Sequence, residues 1–373
     1  MKNILFIGPY RQADGWGDAA KHYIQALALT GHNLSIRPVY MADSVGEIPL
    51  EFLEYEENRF ASYDMVIQNV LPHYLEYNPN FGKNVALIYT ETKGWQNSWV
   101  DRLNKMDEIW VPSKRDAMNV VESGVNKLVE RIPIPTDVSK FNQSYDSKEL
   151  TLLQDTAKES FIFYFIGEFI QRKGLEKLVQ AFHTEFSPKE PVELIIKTSK
   201  PGHNPEQVAK ILNDYCNKIK AIMRIYGNME KYKKEMFITS RLSYNDLMAL
   251  HYHSDCFVMP SCGESWSIPV SDALGFGKTP MVVQDTGPND MVTPNNGWII
   301  PSFEENVFVL DPPLADIYTS KEMWYNISVH DLCSAMRVAY EGRNLTDKSS
   351  QGMEDIHKYS YGNIAKKINE YTS

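Results

Sequence analysis

Short apolar runs bounded by turn residues alternate with stretches whose apolar positions recur every three or four residues. Residues 3–8 (NILFIG) have the composition of a buried strand. Residues 17–30 bring Ala20, Ile24, Leu27 and Ala28 to one face, which predicts a helix that Gly31 ends, and 34–40 (LSIRPVY) resume as a strand. Further strands are predicted at 64–69, 84–90 and 107–111, with a helix over 113–123. Residues 142–158 then turn polar and carry no strand pattern.

A second alternating series follows, with strands at 161–166, 192–197, 236–239, 255–259 and 280–284. The intervening helices are predicted at 174–184, about 204–224, 243–253 and 269–276. Strands alternating with helices imply parallel sheets built from strand–helix–strand units. The prediction is therefore an α/β chain of two doubly wound domains facing across a cleft, divided as 1–150 and 151–355. Residues 356–373 form a last helix that returns towards the N-terminal domain. Ligands of such sheets bind beyond the carboxyl ends of the strands, so chemistry belongs in the cleft. Residues 301–328, with Trp324 and a DPPL turn, read as a loop.

Length supports this division, because 373 residues exceed one ordinary open-sheet core. Composition is that of a globular protein, 43% hydrophobic and 23% charged, and no apolar stretch reaches membrane-spanning length. The start, MKNILFIGPY, fits a first strand and not a signal peptide. The formal net charge of -10 disfavours a general nucleic-acid binder. The four cysteines show neither CxxC pairs nor metal-ligand spacing, which leaves reduced, buried thiols and a cytoplasmic setting as the expectation.

Three loops carry candidate chemistry. Pro260–Asp272 (PSCGESWSIPVSD) follows an apolar strand and enters a helix, placing Glu264 at a strand's carboxyl end and Asp272 in the helix's first turn. Backbone N–H groups about Ser267 and Ile268 would lie at a helix N-terminus, which suits an anion. Either acid alone would read as a solvated group or as dipole compensation. Gly167–Gly174 (GEFIQRKG) is another strand-to-helix loop, in which Arg172 and Lys173 can neutralise a diphosphate leaving group; a solvated basic turn is the bland alternative. Lys197 closes the next apolar strand and adds a third cation. Gly15-Trp-Gly17-Asp-Ala-Ala20 offers close backbone approach to a phosphate or sugar, or a plain tight turn. A dinucleotide cofactor is disfavoured there, because the second strand ends in RPVY without an acidic residue.

The strings FIGEFIQRKGLEKLVQAF and LSYNDLMALHYHSDCFVMPSCGESWSIPVSDALGFGKTPMVV resemble the donor-binding half of glycosyltransferase family 4, the glycosyl transferases group 1. The resemblance covers most of 155–300 and implies the GT-B fold, two Rossmann-like domains facing across a cleft, and retaining, metal-independent transfer of a sugar from a nucleotide diphosphate sugar. Glu264 and Asp272 correspond to the family's paired acids, implying contacts with donor-sugar hydroxyls and with the ribose. The family's Arg–Lys pair maps onto Glu168 and Lys173, so its Arg is replaced. Arg172 or Lys197 is expected to supply the missing charge, unless Arg172 pairs with Glu176. Ser265 and Ser267, flanking Trp266, stand where the family has glycines. Glycines 15 and 17 map to a loop that closes over the donor phosphates. Glu91 stands where the family has its sugar-facing His and is the candidate for that catalytic role, with an acceptor contact or a helix cap as its alternatives. Trp95 and Trp99 would line an acceptor site or pack in the core, and His73, a lone histidine near the cleft, is a candidate acceptor contact.

The resulting expectation is a hexosyl- or pentosyltransferase with no cofactor beyond its nucleotide sugar co-substrate and no bound metal, since no Asp-x-Asp element lies in a suitable loop. Its acceptor is open among saccharide, lipid, protein and, least favoured, modified DNA. A sugar-nucleotide epimerase or hydrolase of the same fold, and a non-catalytic sugar-nucleotide-binding module, are the alternatives; an NAD-dependent enzyme is third.

Overall fold

The computed structural model describes residues 1–42, 44–147, 150, 160–309, 317–343 and 346–372. Six parallel strands form the first sheet: β1 (Asn3–Gly8), β2 (Asn33–Pro38), β3 (Met65–Gln68), β4 (Asn84–Leu87), β5 (Glu108–Val111) and β6 (Leu128–Arg131), ordered 2-1-3-4-5-6. Another six form the second: β7 (Phe161–Glu168), β8 (Val192–Ser199), β9 (Met236–Ile238), β10 (Cys256–Met259), β11 (Met281–Val283) and β12 (Trp298–Ile300), ordered 12-11-10-7-8-9 and also parallel. Both orders reverse direction at the first strand of the half. The crevice at such a reversal is where doubly wound sheets hold ligands. In the second sheet it lies between β7 and β10, whose exit loops carry Arg172–Lys173 and Glu264.

Buried runs explain most of these strands: β3, β4, β5 and β10 are buried at every position. Two strands lie outside the predicted set for opposite reasons. β6 (LVER) is an edge strand, exposed at both ends and polar in its second half, so its pattern resembles a loop. β12 (WII) is short and follows directly on the Asn295-Asn296-Gly297 turn. Residues 301–328 also depart from the loop reading. There β13 (Phe303–Asn306) and β14 (Met323–Asn326) pair antiparallel, with Trp324 buried in the hairpin. The DPPL stretch and most of the polar segment 142–158 lie outside the described residues.

The four cysteines are free and buried, and burial raises the Cys216 thiol to about 12 and those of Cys262 and Cys333 to about 11. Among the described residues no helix is long and apolar enough to cross a membrane.

The chain's end ties the halves together. Thr136 N donates to Tyr359 O, and helix Tyr361–Thr372 then packs on helix Gly15–Ala28. Polar contacts fix its placement: His22 Nδ1 lies 2.8 Å from the Tyr361 hydroxyl, and His32 Nε2 lies 3.0 Å from Thr372 Oγ1. One apolar core runs through both halves, joining Phe6 and Ile24 to Tyr164, Trp266 and Ile364. Beneath helix Ile268–Gly275, Phe141 fills the space a side chain at position 275 would need, its ring 2.2 Å from where a Cβ would stand. Beside it Lys140 Nζ meets Asp272 Oδ1 at 2.6 Å, both side chains only 5% exposed.

Burial holds two histidines neutral in this framework. His22 is lowered to about 4, Lys140 adding to the effect, and His251, bonded to the Tyr164 hydroxyl at 2.8 Å, is also lowered to about 4. Unfolding exposes both to water, where histidine titrates near 6.5, so the unfolded chain takes up protons first. Their contribution is therefore full above about 6.5 and is lost progressively as the pH falls towards about 4. Urea unfolding between pH 7 and 4 should show this decline, and His251→Gln should flatten it; an unchanged slope would remove His251 as a cause.

Candidate active site

The loops after β7 and β10 meet at the reversal of the second sheet. Gly174 makes this contact feasible. It adopts φ +67°, and a Cβ there would lie 2.2 Å from Pro260 O, so only glycine fits both the conformation and the approach. Cys262 N donates to Arg172 O at 2.8 Å, which ties the two loops together, and Gly287 N donates to Glu264 O at 2.8 Å, which fastens the Glu264 backbone.

Glu264 is 9% exposed and its Oε1 collects three donors: Lys173 Nζ at 2.5 Å, Ser261 Oγ at 2.7 Å and Arg172 NH1 at 3.0 Å. Burial alone would raise this carboxyl; Lys173 and Arg172 outweigh it and hold the group below the ordinary glutamate value. Arg172 is itself 7% exposed. Its NH2 meets Glu91 Oε1 at 2.7 Å and its NH1 also donates to Gly263 O at 2.5 Å. Burial disfavours the guanidinium, but Glu91 and Glu264 together raise its pKa. Glu91 completes the network by accepting from the Tyr318 hydroxyl at 3.1 Å. One guanidinium is thus shared by a carboxylate from each half.

This arrangement settles several sequence-level alternatives. Arg172 does not pair with Glu176, whose carboxylate accepts from Gln180, nor does it present its fork to an open phosphate pocket. Two carboxylates already claim that fork. Glu91 caps no helix, since the next one begins at Asn97 behind Gln96. Asp272 is not an open ribose contact, because Lys140 neutralises it below the cleft. Trp266 is 1% exposed and stacks edgewise on Tyr359, so it belongs to the core and not to a donor surface. Trp95 is likewise core: it precedes the helix, is 9% exposed and packs edgewise on Trp99. His73 is exposed and lies beside Tyr74 and Trp99.

Helix Gly15–Ala28 starts at Gly15, so the glycine-rich string is its first turn and not a free loop. Gly17 N donates to its N-cap Asp14, and a Cβ at Gly17 would stand 2.2 Å from Gln12 O. Close packing explains Gly17, whereas the space about Gly15 is open. Ser265 donates to Asp116 of the other half, and Ile268 opens the helix as a residue packed on the core. Ser267, at a position of family glycine, adopts φ +75° with no side-chain cap bond.

Lys197 lies within β8, paired with Ile166 and Ile238, and not at its end as the shorter predicted strand implied. Burial lowers its ammonium, the Glu168 carboxylate opposes this, and Arg241 adds to the lowering. Arg241 therefore stands near Lys197, two cations against Glu168. It was missed from sequence, although its place shortly after the apolar MFI of β9 was a usable signal. Asp116 and Tyr318 were missed as well, and nothing local marks either. Across the cleft the halves are further joined by Arg115 with Asp285, Arg131 with Asp290 at 3.2 Å and Lys93 with Glu304 at 2.6 Å.

Residues 153–310 match the family model described as Glycosyl transferases group 1. These residues carry a group 1 glycosyl transferase domain. No curated protein matches the sequence significantly. Solved structures show the GT-B fold over the full length. Sucrose-phosphate synthase from Thermosynechococcus elongatus superimposes with TM-score 0.68 at 12% identity, covering 100% of this chain and 98% of that one. HepE from Anabaena, in complex with UDP-glucose, gives TM-score 0.68 at 14% identity, with 100% and 99% covered. The trehalose-6-phosphate synthase OtsA gives 0.69 at 10%, with 100% and 99% covered.

The glycosyl transferase loops carry opposite expectations for two substitutions. Ser267→Gly relieves a left-handed serine and should stabilise the fold by about 1 kcal/mol. Gly174→Ala forces both a strained conformation and a backbone clash and should destabilise by roughly 2 kcal/mol or more. Thermal denaturation distinguishes the signs; equal shifts would show that backbone conformation does not govern these loops.

Proposed function

We propose that the protein is a retaining glycosyltransferase that moves a hexose or pentose from a nucleoside diphosphate sugar to an acceptor, without a metal ion. The observation that carries this reading is the buried Glu264 carboxylate held by Lys173 and Arg172 where the β7 and β10 loops meet. That position in a doubly wound sheet is a ligand crevice. A fixed carboxylate there can accept from sugar hydroxyls, and cations beside it can stabilise the charge that grows on the departing diphosphate.

In this reading residues 1–150 are the acceptor side, residues 151–355 the donor side, and 356–373 the returning helix. Lys173, which keeps further N–H donors beyond its bond to Glu264, faces the diphosphate together with Lys197 and Arg241. Arg172 acts through Glu264 and Glu91, orienting both, and so replaces the family's arginine in charge but not in contact. The UDP-glucose complex of HepE makes a UDP-sugar the first donor to test. The resemblance of the motifs supports retention and metal independence, and turnover should then persist in EDTA.

Glu264→Gln should lower turnover by orders of magnitude and, because it leaves Arg172 and Lys173 short of a buried carboxylate, should also lower the melting temperature of a still-folded protein. Calorimetry with UDP and uridine tests the cations: Lys173→Ala and Lys197→Ala should each weaken UDP about 10- to 100-fold, in line with charge-assisted bonds of roughly 1.5–3 kcal/mol. Uridine affinity should stay constant. Equal losses for both ligands would assign the lysines to structure, and wild-type turnover in Glu264→Gln would remove that carboxylate from the reaction.

A further inference from the structure

Helix Lys114–Glu122 starts just after β5, with Ser113 as its N-cap. Its first turn buries Asp116 completely, and Asn119, three residues on and on the same face, is 2% exposed. Each has one atom satisfied. Asp116 Oδ2 accepts from the Ser265 hydroxyl of the opposite half, and Asn119 Nδ2 donates to Thr90 Oγ1 at 3.2 Å. Each also has one atom unsatisfied: Asp116 Oδ1 and Asn119 Oδ1 are buried without a hydrogen-bond partner. Both residues line one narrow cleft with Thr90, Glu91, Glu264 and Thr286.

Native structures leave few buried polar atoms unpaired, and each calls for a reason. Here two occur on one helical turn, in the cleft that also holds Glu264. Burial pushes the Asp116 carboxyl well above the ordinary aspartate value, against the hydrogen bond from Ser265. As a carboxylate its Oδ1 lacks a donor, and as a carboxylic acid its proton lacks an acceptor. A hydroxyl group, which both donates and accepts, satisfies either form. The asparagine oxygen needs a donor, which a second hydroxyl provides.

We propose that Asp116 and Asn119 form a hydroxyl-binding subsite of the N-terminal half that takes ring hydroxyls of the sugar lodged against Glu264. The inference rests on the transferase reading and deepens it by assigning sugar recognition to residues outside the donor-side motif. The same chemistry serves the transferred sugar and a saccharide acceptor, so the experiment includes both.

The test compares wild type, Asp116→Ala, Asp116→Asn and Asn119→Ala using kcat/KM for UDP-sugars, saccharide acceptors and their monodeoxy analogues. Wild type should prefer the parent over one deoxy analogue by roughly 10- to 100-fold. That preference should collapse towards one in Asp116→Ala or Asn119→Ala, while discrimination at other ring positions stays. Collapse in the donor series assigns the transferred sugar, and collapse in the acceptor series assigns the acceptor. Asp116→Asn keeps shape and the Ser265 contact, and serves if the alanine variant fails to fold; UDP affinity and melting temperature report integrity. Folded variants that keep full discrimination at every position overturn the subsite. A separate arm follows free glucose, galactose and xylose by ligand-observed NMR. Sugar binding that Asp116→Ala abolishes supports the subsite even if UDP fails to bind, a result that would sink the transferase reading alone. No binding of any sugar, free or activated, overturns the subsite.

Discussion

The site depends on one guanidinium held between carboxylates from the two halves. Arg172 arises from the loop after β7, yet it bonds Glu264 on the β10 loop and Glu91 beyond β4. Without it, two carboxylates would face each other across the cleft, Glu264 buried and Glu91 about one third exposed. With Lys173 added, two positive groups balance two negative ones, and each buried charge has a partner. Removing one member of such a network strands the others in low dielectric, at a cost of about 3–5 kcal/mol. The balance also accounts for Glu168. With an acid at the position of the family's arginine, positive charge beside Glu264 comes from Arg172 and Lys173, four and five residues further along, and the Glu168 field acts on both Arg172 and Lys197.

Around this network the halves are fastened at two levels. On the cleft side, exposed and half-exposed pairs such as Lys93 with Glu304 and Arg131 with Asp290 span the gap. Pairs of this exposure contribute little stability individually. Below the cleft, Lys140 and Asp272 form a buried pair while Phe141 fills the hollow left by Gly275, and helix Tyr361–Thr372 crosses to helix Gly15–Ala28. The apolar core continues from the first half into the second through this region. Strong attachment below and weak pairs above leave the cleft surface free to be specialised for ligands.

The serines at the family's glycine positions illustrate how a motif can be kept in shape while changing in chemistry. Ser267 preserves the left-handed turn that enters helix Ile268–Gly275, at the expense of local strain. Ser265 does something a glycine cannot: its hydroxyl reaches Asp116 and links the motif loop to the opposite half. The same residue type therefore serves backbone geometry at one position and recognition across the cleft at the other.

The alternation of strands and helices, the doubled α/β plan and the loops bearing Glu264, Arg172 and Lys173 were legible from the chain alone. Those features rest on periodicity and on turn chemistry, which act over a few residues and leave their mark in the local string. β6, β12 and the 303–326 hairpin were not legible, because short or exposed strands owe their existence to a neighbour and not to their own pattern. The destinations of the charged and polar side chains belonged to the tertiary structure entirely. Arg172 reaches Glu264 across 92 positions, Ser265 reaches Asp116 across 149, and Tyr318 reaches Glu91 across 227. No periodicity connects residues so far apart. Which cation meets which carboxylate is decided only when two sheets bring their strand ends together and burial makes every charge find a partner.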